Sequence, residues 1–387
     1  SEMCIRDRFK IIIDILCLFP LKKIILFESF PSFSGNTEMV FEELLRRKIN
    51  DKYKFVWVMD DNANLPEKYK SVKNLKTVQR NSYLYKLYYS CFASIFICEN
   101  DFLVKRRETQ YYIFLSHGSA FKLVNGKYCL PENCSNCDVV TISEYMARYD
   151  AINLSCSVNN MHALGYARND KLFSENKLDL NSIFKNNNSK KFIYWLPTYR
   201  QHKNKQINEI HSKTSMPILY DNDICDEINE FARKMNVFII IKPHPAQDIN
   251  SLKKVNLSNL IFIDDRFLLY HNIDNYDVLN SVDALLSDYS SVYYDYLLKN
   301  KPIGLCWDDF DDYSKREGFL LDPNFIMAGG EKIYDKDDLK SFIKRIACDE
   351  DILQDKRNEI CNLVHKYKDG KSARRTVDFI IKKAVKL

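Results

Sequence analysis

The chain has 387 residues, 46% of them hydrophobic, which is enough for two buried cores and too much for one small domain. Its 57 basic and 52 acidic side chains leave a formal net charge of +5, which suits an anionic ligand or membrane surface and gives no reason to expect a nucleic-acid partner. No run approaches the ~20 uninterrupted apolar residues of a spanning helix, and most of the twelve cysteines, Cys17, Cys91, Cys98 and Cys306 among them, sit inside apolar segments as small buried hydrophobes of a reducing compartment.

Residues 1–8 fit neither a signal peptide nor a helix and are set aside from fold reasoning as sequence that need not be native. The segment FKIIIDILCLFPLKKIILF is apolar but broken by Asp14, Pro20, Lys22 and Lys23. Two readings are open: an amphipathic helix lying on an anionic bilayer, or a helix packed on the domain followed by the first strand. Short apolar runs then alternate with longer amphipathic ones, the pattern of a parallel sheet covered by helices. KIILFES, KFVWVM, ASIFICE, YYIFLS, VVTIS and MHALG are predicted strands, with a helix over TEMVFEELLRRK. Residues 171–190 lose periodicity, end in KNNNSKK and are predicted to be a linker. The second half repeats the logic with strands KFIYWLP, VFIIIKP, LIFID, DALLS and PIGLCW and helices CDEINEFARKM and YYDYLLKN. The expected organisation is a leading segment 1–21, a first domain 22–170, the linker, a second domain 191–365, and a helix over 366–387 that packs back on the first domain.

Four predicted strands run into unusual polar corners: His117-Gly118, Thr198-Tyr199-Arg200, Pro243-His244-Pro245 and Asp288-Tyr289-Ser290-Ser291. In open α/β sheets ligands bind beyond the carboxyl ends of the strands, where loops converge and helix N-termini point. Ser290 and Ser291 fall where a strand hands over to a helix, so they can cap that helix or, together with its free N–H groups, hold an oxyanion. The recurrence of polar corners favours phosphate. Gly118 beside His117 allows a ligand close to the backbone, and an imidazole there suits general-base work near neutral pH. The prolines flanking His244 fix its loop.

With nine glycines in the chain there is no G-x-G-x-x-G and no G-x-x-x-x-G-K-[ST], so phosphate must be held by side chains and helix ends. Two D-x-D strings, Asp221-Asn222-Asp223 and Asp309-Phe310-Asp311, have the form of a divalent-metal site but lie in acidic, surface-like stretches. Cys129, Cys134, Cys137, Cys156 and His162 do not have the spacing of a zinc ribbon. No metal ligand and no cofactor is expected.

The strings ESFPSFSGNTEMVFEELLR, HGSAFK, GYARND, LPTYR, KPHP, LSDYSSVYYDYLLKNKPI and DDYSKREGFLLD, in this order from about Lys22 to Pro323, resemble the CDP-glycerol glycerophosphotransferase family, the teichoic-acid primases and polymerases. The resemblance implies an α/β, GT-B-like fold with two Rossmann-like parallel-sheet domains facing a central cleft. It implies a CDP-activated polyol donor, a membrane-linked glycan or polyol-phosphate acceptor, attack on the phosphorus and release of CMP. Carried over by position, His117 is the base, and His244 and Asp288 complete the catalytic set, Asp288 by orienting its loop. Gly118, Arg168, Thr198, Arg200, Lys242, Ser290 and Ser291 are the expected substrate-binding residues. Ser119 stands where the family usually has Thr and Ala167 where it has Pro, and glycerol, ribitol or another CDP-activated group fits this site. The expected setting is the cytoplasmic face of the membrane, with the protein held there peripherally. Two other classes share the fold: a glycosyltransferase using a nucleotide sugar, and a non-catalytic member.

Overall fold

The computed structural model describes residues 10–60, 64–119, 121–123, 137–185, 189–198, 216–243 and 257–385. The chain forms two compact units, one from residues 1–119, 124–170 and 365–387, the other from 120–123 and 171–364.

In the first unit, seven described strands form one parallel sheet in the order β3-β2-β1-β4-β5-β6-β7: β1 (Lys22–Glu28), β2 (Lys54–Met59), β3 (Leu75–Gln79), β4 (Ala93–Cys98), β5 (Tyr111–Phe114), β6 (Asp138–Thr141) and β7 (Met161–Ala163). A parallel sheet is covered on both faces, so its central strands are continuous apolar runs rather than alternating ones. β1 meets this rule, since Ile25, Leu26 and Phe27 are fully buried. The helix Gly35–Arg46 lays Val40, Phe41 and Leu44 onto one face. There Phe33 stacks on Trp57 at 4.0 Å and Phe41 meets Phe27 edge-on at 5.2 Å.

The helix Ser372–Ala384 packs on this same unit, burying Val377 and Ile380. Its start is fixed by GYARND. The Asp170 carboxylate accepts the N–H groups of Ser372 and Ala373, both at 2.8 Å, and so supplies the acceptor that orphan donors of a helix's first turn require. Arg375 donates back to the Leu164 carbonyl at 3.0 Å. Gly165 has φ +80°, and a Cβ there would lie 2.6 Å from the Ser372 hydroxyl, so the close approach of helix and turn depends on glycine.

The second unit holds six described strands in the order β10-β9-β8-β11-β12-β13, again all parallel: β8 (Lys191–Trp195), β9 (Val237–Ile241), β10 (Leu260–Phe262), β11 (Ala284–Ser287), β12 (Ile303–Cys306) and β13 (Glu331–Ile333). Counted from the start of each unit, both sheets begin 3-2-1-4-5-6, the doubly wound order in which the direction of strand addition reverses once. The reversal lies between β1 and β4 in the first unit and between β8 and β11 in the second.

The strands expected from apolar runs are present, and two more stand at sheet edges. In β3 the burial alternates weakly, and β13 is three residues long, so neither offers a clear apolar run. The helix expected over 366–387 is Ser372–Ala384, and a separate helix, Gln354–Val364, precedes it across a break that contains Gly370, at φ +64°. Part of the 171–190 segment is a short helix, Leu180–Phe184, whose Leu180 and Phe184 are buried and whose start is capped by Asp179. Residues 10–16 are helical. No described helix is long and apolar enough to cross a membrane.

Replacing Asp170 by Ala should remove the anchor of the C-terminal helix and lower stability by about 1–2 kcal/mol. Urea unfolding followed by circular dichroism checks this, and an unchanged midpoint would contradict the anchoring role.

Candidate active site

In the second unit the site is built at the reversal of the sheet. β8 runs into Leu196-Pro197-Thr198 and β11 into Asp288, and the two ends meet. The fully buried Asp288 carboxylate accepts the Thr198 backbone N–H at 2.9 Å and its hydroxyl at 3.0 Å. Ser287 donates its hydroxyl to the Leu196 carbonyl at 3.0 Å. On the next strand Lys242 gives its backbone N–H to Trp195 at 3.0 Å, while its buried ammonium pairs with Asp265 at 2.8 Å.

The other DYSS residues divide into packing and loop roles. Tyr289 is fully buried, stacks on Tyr313 with centroids 3.8 Å apart, and donates to Asp309 at 2.9 Å. Phe310 and Phe319 complete this aromatic cluster with Trp307, so the DYSS and DDYSKREGFLLD strings pack on one another. The following helix is Val292–Leu297. Ser290 accepts its Val292 N–H at a long 3.4 Å, and Ser291 makes no side-chain cap bond, so neither serine is an ordinary strong cap. Both are half-buried at the strand end that carries Asp288.

In the first unit, the end of β1 faces the loop that follows β4. The fully buried Glu28 carboxylate accepts the N–H groups of Glu99, Asn100 and Asp101 at 3.2, 3.1 and 3.1 Å and pairs with Arg80 at 3.2 Å. Glu99 in turn receives the Thr37 N–H at 2.9 Å, at the start of the helix Gly35–Arg46. Burial raises the Glu99 pKa to about 7, against the opposing pull of Arg168, 3.7 Å away, and of the Thr37 and Asn36 N–H groups. Arg168 donates to the His117 carbonyl at 2.6 Å. His117, Gly118 and Arg168 are therefore neighbours in one loop cluster.

The His117 side chain is exposed to solvent, although neighbouring protein crowds it. Burial first, and then the Arg168 charge, lower its pKa to about 4. Solvent contact limits the burial contribution, whereas the cation acts whether or not the ring is wet. Either cause alone leaves a neutral imidazole at neutral pH, the form able to accept a proton. Ser119 places its hydroxyl between Asp150 at 3.3 Å and Tyr166 at 2.9 Å, a fixing role that a threonine hydroxyl could equally fill.

Arg200 and His244 lie outside the described residues, as do Cys129 and Cys134. The D-x-D strings have structural partners: Asp221 caps the helix Asn222–Lys234 through the Ile224 N–H at 2.9 Å, and Asp309 receives the Tyr289 hydroxyl. His162 pairs with Asp138 at 2.6 Å. Among the described residues no group of three or more His, Cys, Asp or Glu side chains is arranged to hold a metal. Glu28, Asn36 and Glu99 escape sequence reasoning as site residues. For Glu28 and Asn36 a visible trace is the ESFPSFSGN string, a carboxylate at a strand end followed by a glycine at a helix start.

The profile of the CDP-glycerol:poly(glycerophosphate) glycerophosphotransferase family matches residues 14–382. The chain is 24% identical over 369 residues to the teichoic acid glycerol-phosphate primase of Bacillus subtilis strain 168, covering 90% of each protein. It is 26% identical over 396 residues to the teichoic acid poly(ribitol-phosphate) polymerase of Bacillus spizizenii, where the match covers 95% of this chain and spans 58% of the polymerase's length. Its fold is that of the wall teichoic acid polymerase TagF: a TagF variant soaked with CDPG superposes with a TM-score of 0.76 at 20% identity, over 98% of this chain and 95% of that one. The GT-B-like α/β architecture and the resemblance carried by the motifs hold, and the chain belongs to the CDP-glycerol:poly(glycerophosphate) glycerophosphotransferase family.

Proposed function

We propose that this chain transfers a polyol phosphate from a CDP-activated donor to a hydroxyl of a glycan or polyol-phosphate acceptor and releases CMP. The observation that carries the reading is the Asp288–Thr198 clasp at the strand-order reversal of the second unit, where open α/β sheets bind their ligands. Family membership supplies the chemistry: the relatives named above are a teichoic acid glycerol-phosphate primase and a poly(ribitol-phosphate) polymerase.

In this reading Thr198, Lys242, Ser290 and Ser291, with Arg200 and His244, hold the donor's diphosphate, and Asp288 keeps their loops in register. The acceptor oxygen attacks the phosphorus of the polyol phosphate as His117 takes the hydroxyl proton. The bond from that phosphorus to the bridging oxygen breaks, and the electron pair leaves with CMP. Phosphoryl transfer depends mainly on positioning and on neutralising charge on the leaving group, which hydrogen-bonding and cationic groups supply.

The reading also places the protein at the cytoplasmic face of a membrane, where a lipid-linked acceptor would be met. The segment at residues 10–19 supports this: Ile11, Ile12, Ile15, Leu18 and Phe19 are all exposed. Arg107 fixes the segment's end by donating to the carbonyls of Leu16 and Phe19. Some basic side chains are already engaged within the protein: Lys22 lies over Tyr88 and Phe92, and Arg375 forks onto Asp369.

Purified protein given labelled CDP-glycerol, CDP-ribitol, UDP-sugars and CMP-sugars with an acceptor should release CMP from a CDP-polyol alone. In the same assay His117→Ala should lower turnover by roughly 10²- to 10⁴-fold with donor affinity nearly unchanged, and Ser290→Ala should weaken donor binding by about tenfold. CMP release from a CMP-sugar only would replace the reading with glycosyl transfer.

The pH behaviour follows from the His117 environment. Its depressed pKa keeps the base neutral through mildly acidic pH and ends its action only as pH falls toward about 4. NMR titration of the ring should give a midpoint well below the ordinary ~6.5. Arg168→Met, which removes the neighbouring cation, should raise it; a midpoint at or above the ordinary value in the unaltered protein would contradict this account.

Binding to vesicles containing phosphatidylglycerol should weaken as salt rises, and Ile15→Glu with Leu18→Glu should reduce it at every salt concentration. Salt-independent binding would remove the electrostatic part, and binding indifferent to the double substitution would remove the apolar part.

A further inference from the structure

We infer that Asn36 is a positioning residue for His117, an inference that rests on the reading of His117 as the base. Ser116, immediately before His117, has φ +57°, a left-handed backbone that a residue with a side chain keeps only when its surroundings hold it there. The holding group is Asn36. Its side-chain Nδ2 donates to the Ser116 carbonyl at 2.6 Å across 80 residues of sequence, and its Oδ1 accepts the Arg168 backbone N–H at 3.0 Å across 132.

Arg168 then donates through Nη1 to the His117 carbonyl at 2.6 Å. The two consecutive carbonyls of Ser116 and His117 are thus gripped by different side chains, and Asn36 also fixes the backbone that presents the second grip. A carboxamide suits the position because it offers a donor at one corner and an acceptor at the other. Aspartate would offer two acceptors, and leucine would offer nothing.

Asn36 is itself immobilised. It is 1% exposed, and its backbone N–H, like that of Thr37, is directed at the Glu99 carboxylate. Gly35 before it, at φ +66°, leaves no room for a side chain, since a Cβ would come within 2.5 Å of Glu99 Oε1. The direction of the His117 ring is therefore set from the first turn of the helix Gly35–Arg46, through a side chain that need not touch substrate.

The test measures kcat, donor KM and equilibrium donor binding for Asn36→Ala, His117→Ala and the double variant, with CDP-glycerol and CDP-ribitol as donors. Asn36→Ala should reduce kcat by roughly 10- to 100-fold while donor KM and Kd stay within about twofold, because a small misplacement of the base costs rate and not binding. In the double variant the Asn36 substitution should add nothing to the loss from His117→Ala. An unchanged kcat in Asn36→Ala, even with a lowered melting temperature, overturns the inference while leaving the base reading intact. No loss in His117→Ala overturns the base reading itself. Should Asn36→Ala not fold by circular dichroism, Asn36→Asp carries the test: it keeps an acceptor for the Arg168 N–H and loses the donor to the Ser116 carbonyl. The same split between kcat and KM is expected, and an unchanged kcat there overturns the inference.

Discussion

Each of the two sheets reverses its strand order once, and at each reversal a fully buried carboxylate collects hydrogen bonds from the loop across the gap. Glu28 at the end of β1 takes three successive N–H groups of the loop after β4, and Asp288 at the end of β11 takes the N–H and hydroxyl of Thr198 after β8. A carboxylate out of contact with water is costly unless its oxygens are satisfied, and unpaired backbone N–H groups are costly in turn. Each acid and its loop therefore stabilise one another only in the one arrangement observed. The residues proposed to handle substrate, Thr198 in one unit and the His117 cluster in the other, sit on or beside loops whose course is set in this way.

The two clasps are mirror images in connectivity. In the first unit the acid belongs to the strand before the reversal and in the second to the strand after it. The same physical requirement, pinning two diverging loops at a strand-order reversal, is met from opposite sides. A folding motif copied residue for residue between the halves is not needed to explain it.

Much of the architecture is legible in the amino-acid sequence because buried parallel strands are short apolar runs, and Ile24 to Phe27 or Val237 to Ile241 cannot easily be anything else. The polar corners at His117, Thr198 and Asp288 are visible for the same reason, as abrupt departures from such runs. The edge strand Leu75–Gln79 is hidden because solvent takes one side of it and its pattern dissolves. Asn36, Glu28 and Glu99 are hidden because their partners lie some 60 to 130 residues away, a pairing that local periodicity does not report. The GYARND string is half legible: the family resemblance marks Arg168, but nothing local says that Asp170 two residues on is the seat of a helix about 200 residues later. Each D-x-D string has an acid with a local structural partner: Asp221 caps a helix, and Asp309 accepts the Tyr289 hydroxyl of the aromatic cluster.

The return of the Ser372–Ala384 helix to the Asp170 turn has a consequence for how the molecule is made. Synthesis runs from the amino end, and domains generally fold as units as they emerge. Here the earlier-made unit lacks its last helix until the whole of residues 171–364 has been translated. The later-made unit carries its full strand set first. During that interval the Asp170 carboxylate and the apolar surface destined for Val377 and Ile380 lack their cover.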